Sequence, residues 1–392
     1  DMQMARAQQI LDDLNILVRP AVNEDLGATM AWGTQQIARD KDKLHDGVFS
    51  LFYAKAPGID RSGDPLRHAN IYGTDPLGGV LAIGGDDPRA KSSTIASQTD
   101  VSFADLEIPV FSPMDVHDIV KLGLHGWALS RHAGLWSAMT VTPELMDGSG
   151  LVWPEEIHLQ AMTSPAGYAT PDGRKVPQLA DRVLVEESLR EIRLPAALDY
   201  IRANRLNRQV LGPDDARLGI IASGHAMALI HDLFAEFGIG DRELHEASLA
   251  VFKVAVTWPL EPSGIEEFVK NKKSVLVLDP KRRFLEPQIR DMLFNMAQRP
   301  AIIGKKDEHG APFLSETRQL EALDGAKALQ HLLGQDAEGK LSHALRHFLA
   351  TQQPMEQAPI FPARVPHFCS GCPHNTGTKI LPGARVGAGI GC

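Results

Sequence analysis

Cysteine is nearly missing from this chain of 392 residues: the first 368 contain none, and the only three are Cys369, Cys372 and Cys392. Three thiols cannot pair off into a disulfide framework, and unpaired thiols point to a reducing, cytoplasmic setting. Aromatic residues make up 6% of the chain, and 40 Lys and Arg stand against 49 Asp and Glu, a net charge of −9 with no block of one sign. Nucleic acid needs a clustered basic face and rings to stack on bases, so none is expected as a partner. Long apolar runs are absent too. The most apolar stretch, 219–230, contains Ser223 and His225 and is too short to cross a bilayer, so no membrane partner is expected. The opening residues mix Arg6, Asp12 and Asp13 with apolar positions and form no signal-peptide core. There is no Walker A sequence. The turn Ala222-Ser-Gly-His lacks G-x-G-x-x-G, and Gly387-x-Gly389-x-Gly391 fails that pattern at Cys392, so neither an ATP nor a nicotinamide site is expected.

What is present is concentrated near the end. Phe368-Cys-Ser-Gly-Cys-Pro-His-Asn375 sets two cysteines at C-x2-C spacing, and Cys392 follows a glycine-rich run. That step brings two sulfurs within reach of one metal centre, and thiolates are soft ligands suited to zinc or iron–sulfur clusters. Two readings stand. A structural zinc knuckle would add Cys392 or His374 to the pair. An iron–sulfur site would use Cys369, Cys372 and Cys392 with a fourth cysteine from further along the polypeptide.

The length suits two or three domains. Asn23 is a good N-cap and is followed by Glu24 and Asp25, after which Leu26, Met30, Gly33 and Ile37 recur at helical spacing; a helix burying that face is expected. Apolar runs at 48–53, 80–83, 108–111 and 135–141 read as strands, with a helix at 115–130. Residues 218–222, 249–256 and 274–278 read as strands alternating with helices at 225–237, 263–269 and 286–296. Strands alternating with helices predict mostly parallel α/β sheets. The polar, glycine-rich segments 55–73 and 84–100 read as loops. Because 84–100 follows a strand, Asp86, Lys91, Ser92 and Ser93 are candidates to meet a ligand or a neighbouring domain beyond the carboxyl edge of the sheet. Between 300 and 366 a short strand at 302–304 and a helix at 316–332 are expected, ending in a proline-rich linker.

Val22-Asn-Glu-Asp-Leu-Gly-Ala-Thr-Met-Ala-Trp-Gly-Thr-Gln-Gln36, Gly58-Ile-Asp-Arg-Ser-Gly-Asp64, Gly85-Asp-Asp-Pro-Arg-Ala-Lys-Ser-Ser93, Leu124-His-Gly-Trp-Ala-Leu-Ser-Arg131 and the cysteine motif together make a specific set. Over essentially its whole length the chain resembles the fused indolepyruvate ferredoxin oxidoreductases, of the thiamine-dependent 2-oxoacid:ferredoxin oxidoreductase family. The resemblance implies a thiamine pyrimidine-binding-like domain at 1–190, a connector at 191–214, a transketolase carboxy-terminal-like α/β domain at 215–300, a connector at 301–365, and the start of a thiamine diphosphate-binding domain at 366–392. The implied reaction is oxidative decarboxylation of an aryl 2-oxo acid to the acyl-CoA, with electrons passed to ferredoxin, by a homo-oligomer.

On the same ground Glu24 would activate thiamine at its pyrimidine ring, and Cys369, Cys372 and Cys392 would hold a [4Fe–4S] cluster. His374, Asn375, Gly389 and Gly391 would lie against the cofactor, thiamine diphosphate with Mg2+, and Lys91, Ser92 and Ser93 would meet substrate or a domain. The chain departs from the family in lacking its amino-terminal Tyr-Pro-Gly-Ser-Pro-type segment and the Gly-Asp-Gly motif for Mg2+ and diphosphate, so these residues alone are expected to be inert. Asp279-Pro280 also stands where relatives carry two acids. Two rivals are a non-redox thiamine decarboxylase, which needs Glu24 but no cysteines, and a zinc-stabilised interaction subunit, which needs the cysteines but not Glu24. The presence of both favours the oxidoreductase.

Overall fold

The computed structural model describes residues 6–37, 40–90, 93, 95–157, 181–356 and 368–385. Among them two five-stranded sheets form, β1–β2–β4–β3–β8 and β10–β9–β6–β7–β5. The first is built from β1 (Phe49–Lys55), β2 (Gly79–Gly85), β3 (Val110–Phe111), β4 (Ser137–Val141) and β8 (Val256–Trp258). The second is built from β5 (Arg208–Leu211), β6 (Leu218–Ser223), β7 (Leu249–Val254), β9 (Ser274–Leu278) and β10 (Ala301–Ile303). Each sheet is parallel except for one antiparallel edge, β8 on β3 and β5 on β7. The expected α/β class is therefore the observed one.

Strand pleating divides each core. In the first sheet Phe52, Val80, Ala82 and Ala138 face a layer containing Ala28, Ile59, Leu66, Phe103 and Trp136. Leu81 and Met139 face the opposite layer, with Leu129, Tyr200 and Ile201 from the helices Val116–Ala133 and Leu194–Ala203. This period of two is what a sheet covered on both sides imposes.

Several expectations shift. The helix Glu24–Thr34 forms behind its Asn23 cap, whose Oδ1 accepts from the Leu26 amide at 3.0 Å. It buries Ala28 and Ala31, however, and leaves Leu26 and Met30 48% and 44% exposed. The small face is the buried one because it lets the helix lie close to the strand: a Cβ on Gly27 would come within 3.2 Å of the Phe52 ring. The segment 55–73, expected as a loop, folds into the helices Ala56–Arg61 and Gly63–Tyr72, burying Ile59, Leu66 and Ala69. The two stretches expected as connectors, 191–214 and 301–365, carry core. Leu194–Ala203 packs in the first domain, while β5, β10 and the helices Ala322–Leu333 and Lys340–Glu356 complete the second, with Leu329, Leu332, Leu341 and Leu345 buried against Ile220 and Leu278.

The single strand expected at 249–256 is broken. At Ala255 the chain leaves β7 in the second sheet and continues as β8 in the first. Asn207, 8% exposed, meets the backbone at this switch: Oδ1 accepts from the amides of Ala255 and Val256 at 2.9 Å each, and Nδ2 donates to the Val256 carbonyl at 2.9 Å. Beside it the Lys253 ammonium donates to Asp118 Oδ2 at 2.6 Å, an ion pair largely sheltered from water that links the two domains.

Arg193 is fully buried, and its guanidinium caps helix ends by donating to the carbonyls of Asn70 (2.9 Å), Ile71 (2.7 Å) and Gly134 (3.3 Å). Burial lowers its pKa to about 10, so it stays charged at neutral pH. Nearby, His125 is bonded through Nδ1 to the Tyr200 hydroxyl at 3.0 Å, and burial, followed by the charges of Lys121 and Arg208, pushes its pKa down to about 4.

Two outcomes follow for stability. Asn207→Leu strands two amides and a carbonyl in a dry site, at about 1–3 kcal/mol each. Urea unfolding should show a loss of roughly 3 kcal/mol or more and a single transition splitting in two as the domains uncouple; an unchanged midpoint would show that the amide does not fasten the strand switch. His125 refuses below pH 6.5 the proton that the unfolded chain accepts, so stability should fall between about pH 6.5 and 4, by roughly 3 kcal/mol at about 1.36 kcal/mol per pH unit. In a pH series of urea midpoints, His125→Gln should flatten that slope.

Candidate functional site

Glu24 is the first residue of its helix, half-buried, and its carboxylate forms no hydrogen bond or ion pair among the described residues. Its neighbours are fixed by the turn after β1. The chain leaves Lys55 directly into the helix Ala56–Arg61, so Gly58 comes against the Glu24 side chain: a Cβ at residue 58 would stand 2.5 Å from Glu24 Cγ. The two helices are joined by Arg61 Nε donating to Asp25 Oδ2 at 3.0 Å. An accessible carboxylate is thereby set at the carboxyl end of an open parallel sheet, where such folds bind ligands. A heterocycle whose ring nitrogen exchanges a proton with a carboxyl group fits this position, so the residues suit the pyrimidine end of thiamine. Among the described residues no group of three His, Cys, Asp or Glu could hold a metal ion.

The segment after β2 is held from both sides. Asp86 is not free for a ligand, since its carboxylate accepts from the Thr99 amide at 3.0 Å and the Thr99 hydroxyl at 3.1 Å. Burial raises the pKa of Asp86 and, together with the charge of Asp86, raises that of Asp100 to about 7. The second domain grips the same loop: Lys281 Nζ donates to the Pro88 carbonyl at 2.6 Å, the Arg282 amide donates to Gln98 Oε1 at 3.1 Å, and Arg89 Nε donates to Gln319 Oε1 at 3.0 Å. Ser93 has a buried hydroxyl with no hydrogen-bond partner among the described residues, while Lys91 and Ser92 lie outside them. At the turn Asp279-Pro280, Asp279 accepts from the amides of Leu285 (2.7 Å) and Glu286 (3.1 Å), so a single acid there serves to cap the next helix.

Cys369 and Cys372 are both free thiols, exposed and half-buried respectively. A tight turn joins them, with the Cys372 amide donating to the Cys369 carbonyl at 3.0 Å, and Gly371 supplies the positive φ of 81° that the turn requires. Asn375 donates its side-chain amide to the same Cys369 carbonyl at 3.0 Å, so it shapes the cysteine turn directly. His374 opens the short helix His374–Gly377 with its ring beside Phe368. Cys392, Gly389 and Gly391 lie outside the described residues.

The structure thus brings Glu24 together with Gly58, Asp25 and Arg61, and separately clusters Cys369, Cys372, His374 and Asn375. Reading the sequence assigned no role to Gly58 or Arg61. No local signal marked Gly58, because the segment 55–73 that contains it reads as a polar, glycine-rich loop until the structure shows the helix Ala56–Arg61.

Residues 208–358 match the model of the indolepyruvate oxidoreductase domain, a span that begins at β5 and ends just beyond the helix Lys340–Glu356. The indolepyruvate oxidoreductase subunit IorA of Methanothermobacter thermautotrophicus is 25% identical over 335 residues, covering 84% of this chain and 48% of that protein. The IorA of Pyrococcus abyssi is 21% identical over 354 residues, covering 88% and 51%. The chain therefore spans about half the length of the curated relatives it matches. Among solved structures, a 2-oxoglutarate:ferredoxin oxidoreductase from Magnetococcus marinus, with 2-oxoglutarate, coenzyme A and succinyl-CoA bound, superposes with a TM-score of 0.52 at 15% identity, covering 80% of this chain and 58% of that one. That likeness is one of fold. With the domain match and the relatives spanning most of its length, the chain is similar to indolepyruvate oxidoreductase subunits, closely enough to mark the kind of protein it resembles.

Proposed function

We propose that this chain forms part of a thiamine-dependent enzyme that oxidatively decarboxylates a 2-oxo acid, aryl in kind, and passes the electrons to ferredoxin with coenzyme A taking the acyl group. The observation that carries the reading is Glu24: a half-buried carboxylate without a hydrogen-bond partner among the described residues, fixed at the carboxyl edge of the first sheet. Structural carboxylates in such a position normally cap an amide or pair with a cation, as Asp25 does with Arg61.

When bound, thiamine diphosphate supplies the carbanion chemistry of decarboxylation, and an iron–sulfur cluster accepts electrons singly. Glu24 would hold a proton against the pyrimidine nitrogen and trade it as the ring changes tautomer. Cys369 and Cys372, presented on one turn, would give two cluster ligands and Cys392 a third. Asn375 would keep that turn closed, and His374, Gly389 and Gly391 would lie towards the cofactor. Lys91, Ser92 and Ser93 would face substrate from the loop that the second domain holds.

Two measurements on the whole protein test this. Glu24→Gln keeps size and shape but cannot exchange the proton, so 2-oxo acid-dependent ferredoxin reduction should fall by about two to four orders of magnitude. Near-normal turnover would leave Glu24 as a helix-terminal acid worth about 0.3–1 kcal/mol. Anaerobically purified protein should contain iron and sulfide with a reducible EPR signal that Cys372→Ala diminishes, whereas stoichiometric zinc without iron would turn the cysteine motif into a structural knuckle.

A further inference from the structure

We propose that Gly58 is a positioning residue for Glu24, and that the Asp25–Arg61 ion pair holds the two helices at the separation this contact requires; the proposal rests on the thiamine reading of Glu24. Gly58 is buried inside the helix Ala56–Arg61, and its φ is not positive. Its backbone therefore makes no demand for glycine. An interior helix glycine costs about 0.8–1.0 kcal/mol relative to alanine, so local propensity argues against it. The missing side chain explains its presence. A Cβ there would lie 2.5 Å from Glu24 Cγ, closer than carbon atoms tolerate, and 3.1 Å from Glu24 Cδ and 3.0 Å from Ala54 Cβ, tighter than most such contacts. The stem of Glu24 occupies the room that a side chain at 58 would take, and this determines where the carboxylate sits.

The approach is held from the other side. Arg61 Nε donates to Asp25 Oδ2 at 3.0 Å, tying the first turn of the Glu24 helix to the last turn of the Gly58 helix. Asn23 fixes the same turn by capping the Leu26 amide. The hydrogen bond and charge of Asp25, with a smaller contribution from the charge of Glu24, raise the pKa of Arg61. The first turn of the Glu24 helix is thus held by a cap, an ion pair and a contact with no slack, the geometry that turns a flexible glutamate into an aimed one.

The test uses Gly58→Ala, Glu24→Gln and the double variant in the whole protein, with melting temperature, calorimetric affinity for thiamine diphosphate, kcat and KM measured for each. Alanine favours the helix, so Gly58→Ala should melt at or near the parent temperature while Glu24 is pushed to another rotamer. A displacement of about 1 Å can cost about a hundredfold in rate, so kcat should fall by that order with KM for the 2-oxo acid little changed. Affinity for thiamine diphosphate should weaken about tenfold, the size of one lost hydrogen bond to a charged group. In the Glu24→Gln background Gly58→Ala should add nothing, because it acts only through that carboxylate. Should Gly58→Ala fail to fold, Arg61→Gln, at a half-exposed position, should lower kcat a few-fold, with Arg61→Lys restoring it. The proposal is overturned if Gly58→Ala keeps kcat within about threefold of the parent while Glu24→Gln is inactive, or if the two losses multiply independently. Near-normal turnover of Glu24→Gln itself overturns the thiamine reading first, so the two failures are distinct.

Discussion

The two domains depend on a strand that belongs to both. β7 runs in the second sheet, and one residue later β8 runs antiparallel along the edge of the first. At such a switch both ladders lose their partners at once, and unpaired amides inside a protein are costly. The Asn207 side chain, accepting through Oδ1 and donating through Nδ2, meets two amides and a carbonyl at the switch. The Lys253–Asp118 pair then ties β7 to the helix Val116–Ala133 that backs the first sheet. With the second sheet anchored in this way, its β9 turn falls beside the loop that follows β2, and Lys281 and Arg282 take hold of it.

Local polarity is organised in a similar way elsewhere. Buried groups without a ladder partner are met by a single multivalent side chain: Arg193 by the carbonyls of two helix ends, Asp279 by the amides of the next helix, and Asn70 by the carbonyls of Leu106 and Glu107. Against that background the Glu24 carboxylate stands apart. It packs against Gly58 and has no hydrogen bond of its own among the described residues.

Much of the fold was legible in the sequence because strands buried on both faces read as continuous apolar runs; 274–278 was placed to the residue, and the Asn23 cap marked the start of the Glu24 helix. Where composition misled, the cause is physical. Residues 55–73 are polar and glycine-rich, yet Ile59, Leu66 and Ala69 suffice to anchor two helices once a sheet lies beneath them. Leu26 and Met30 formed the most apolar stripe of their helix, but close packing against Phe52 rewarded the small residues on the other side. The connectors were misread because Leu329, Leu332, Leu341 and Leu345 find their partners in strands far away in sequence.

The sequence by itself determined the α/β class and singled out the candidate groups, because strand runs, helix caps and the pairing of an acidic helix start with a C-x2-C motif are local patterns. Only the tertiary structure decided that 249–256 divides between two sheets, that Asp86 is consumed in fastening its own loop, and that Gly58 lies against Glu24. The reason is that each of these is a contact between residues distant along the chain, set by how helices and strands pack, and no local pattern of residue types encodes that distance.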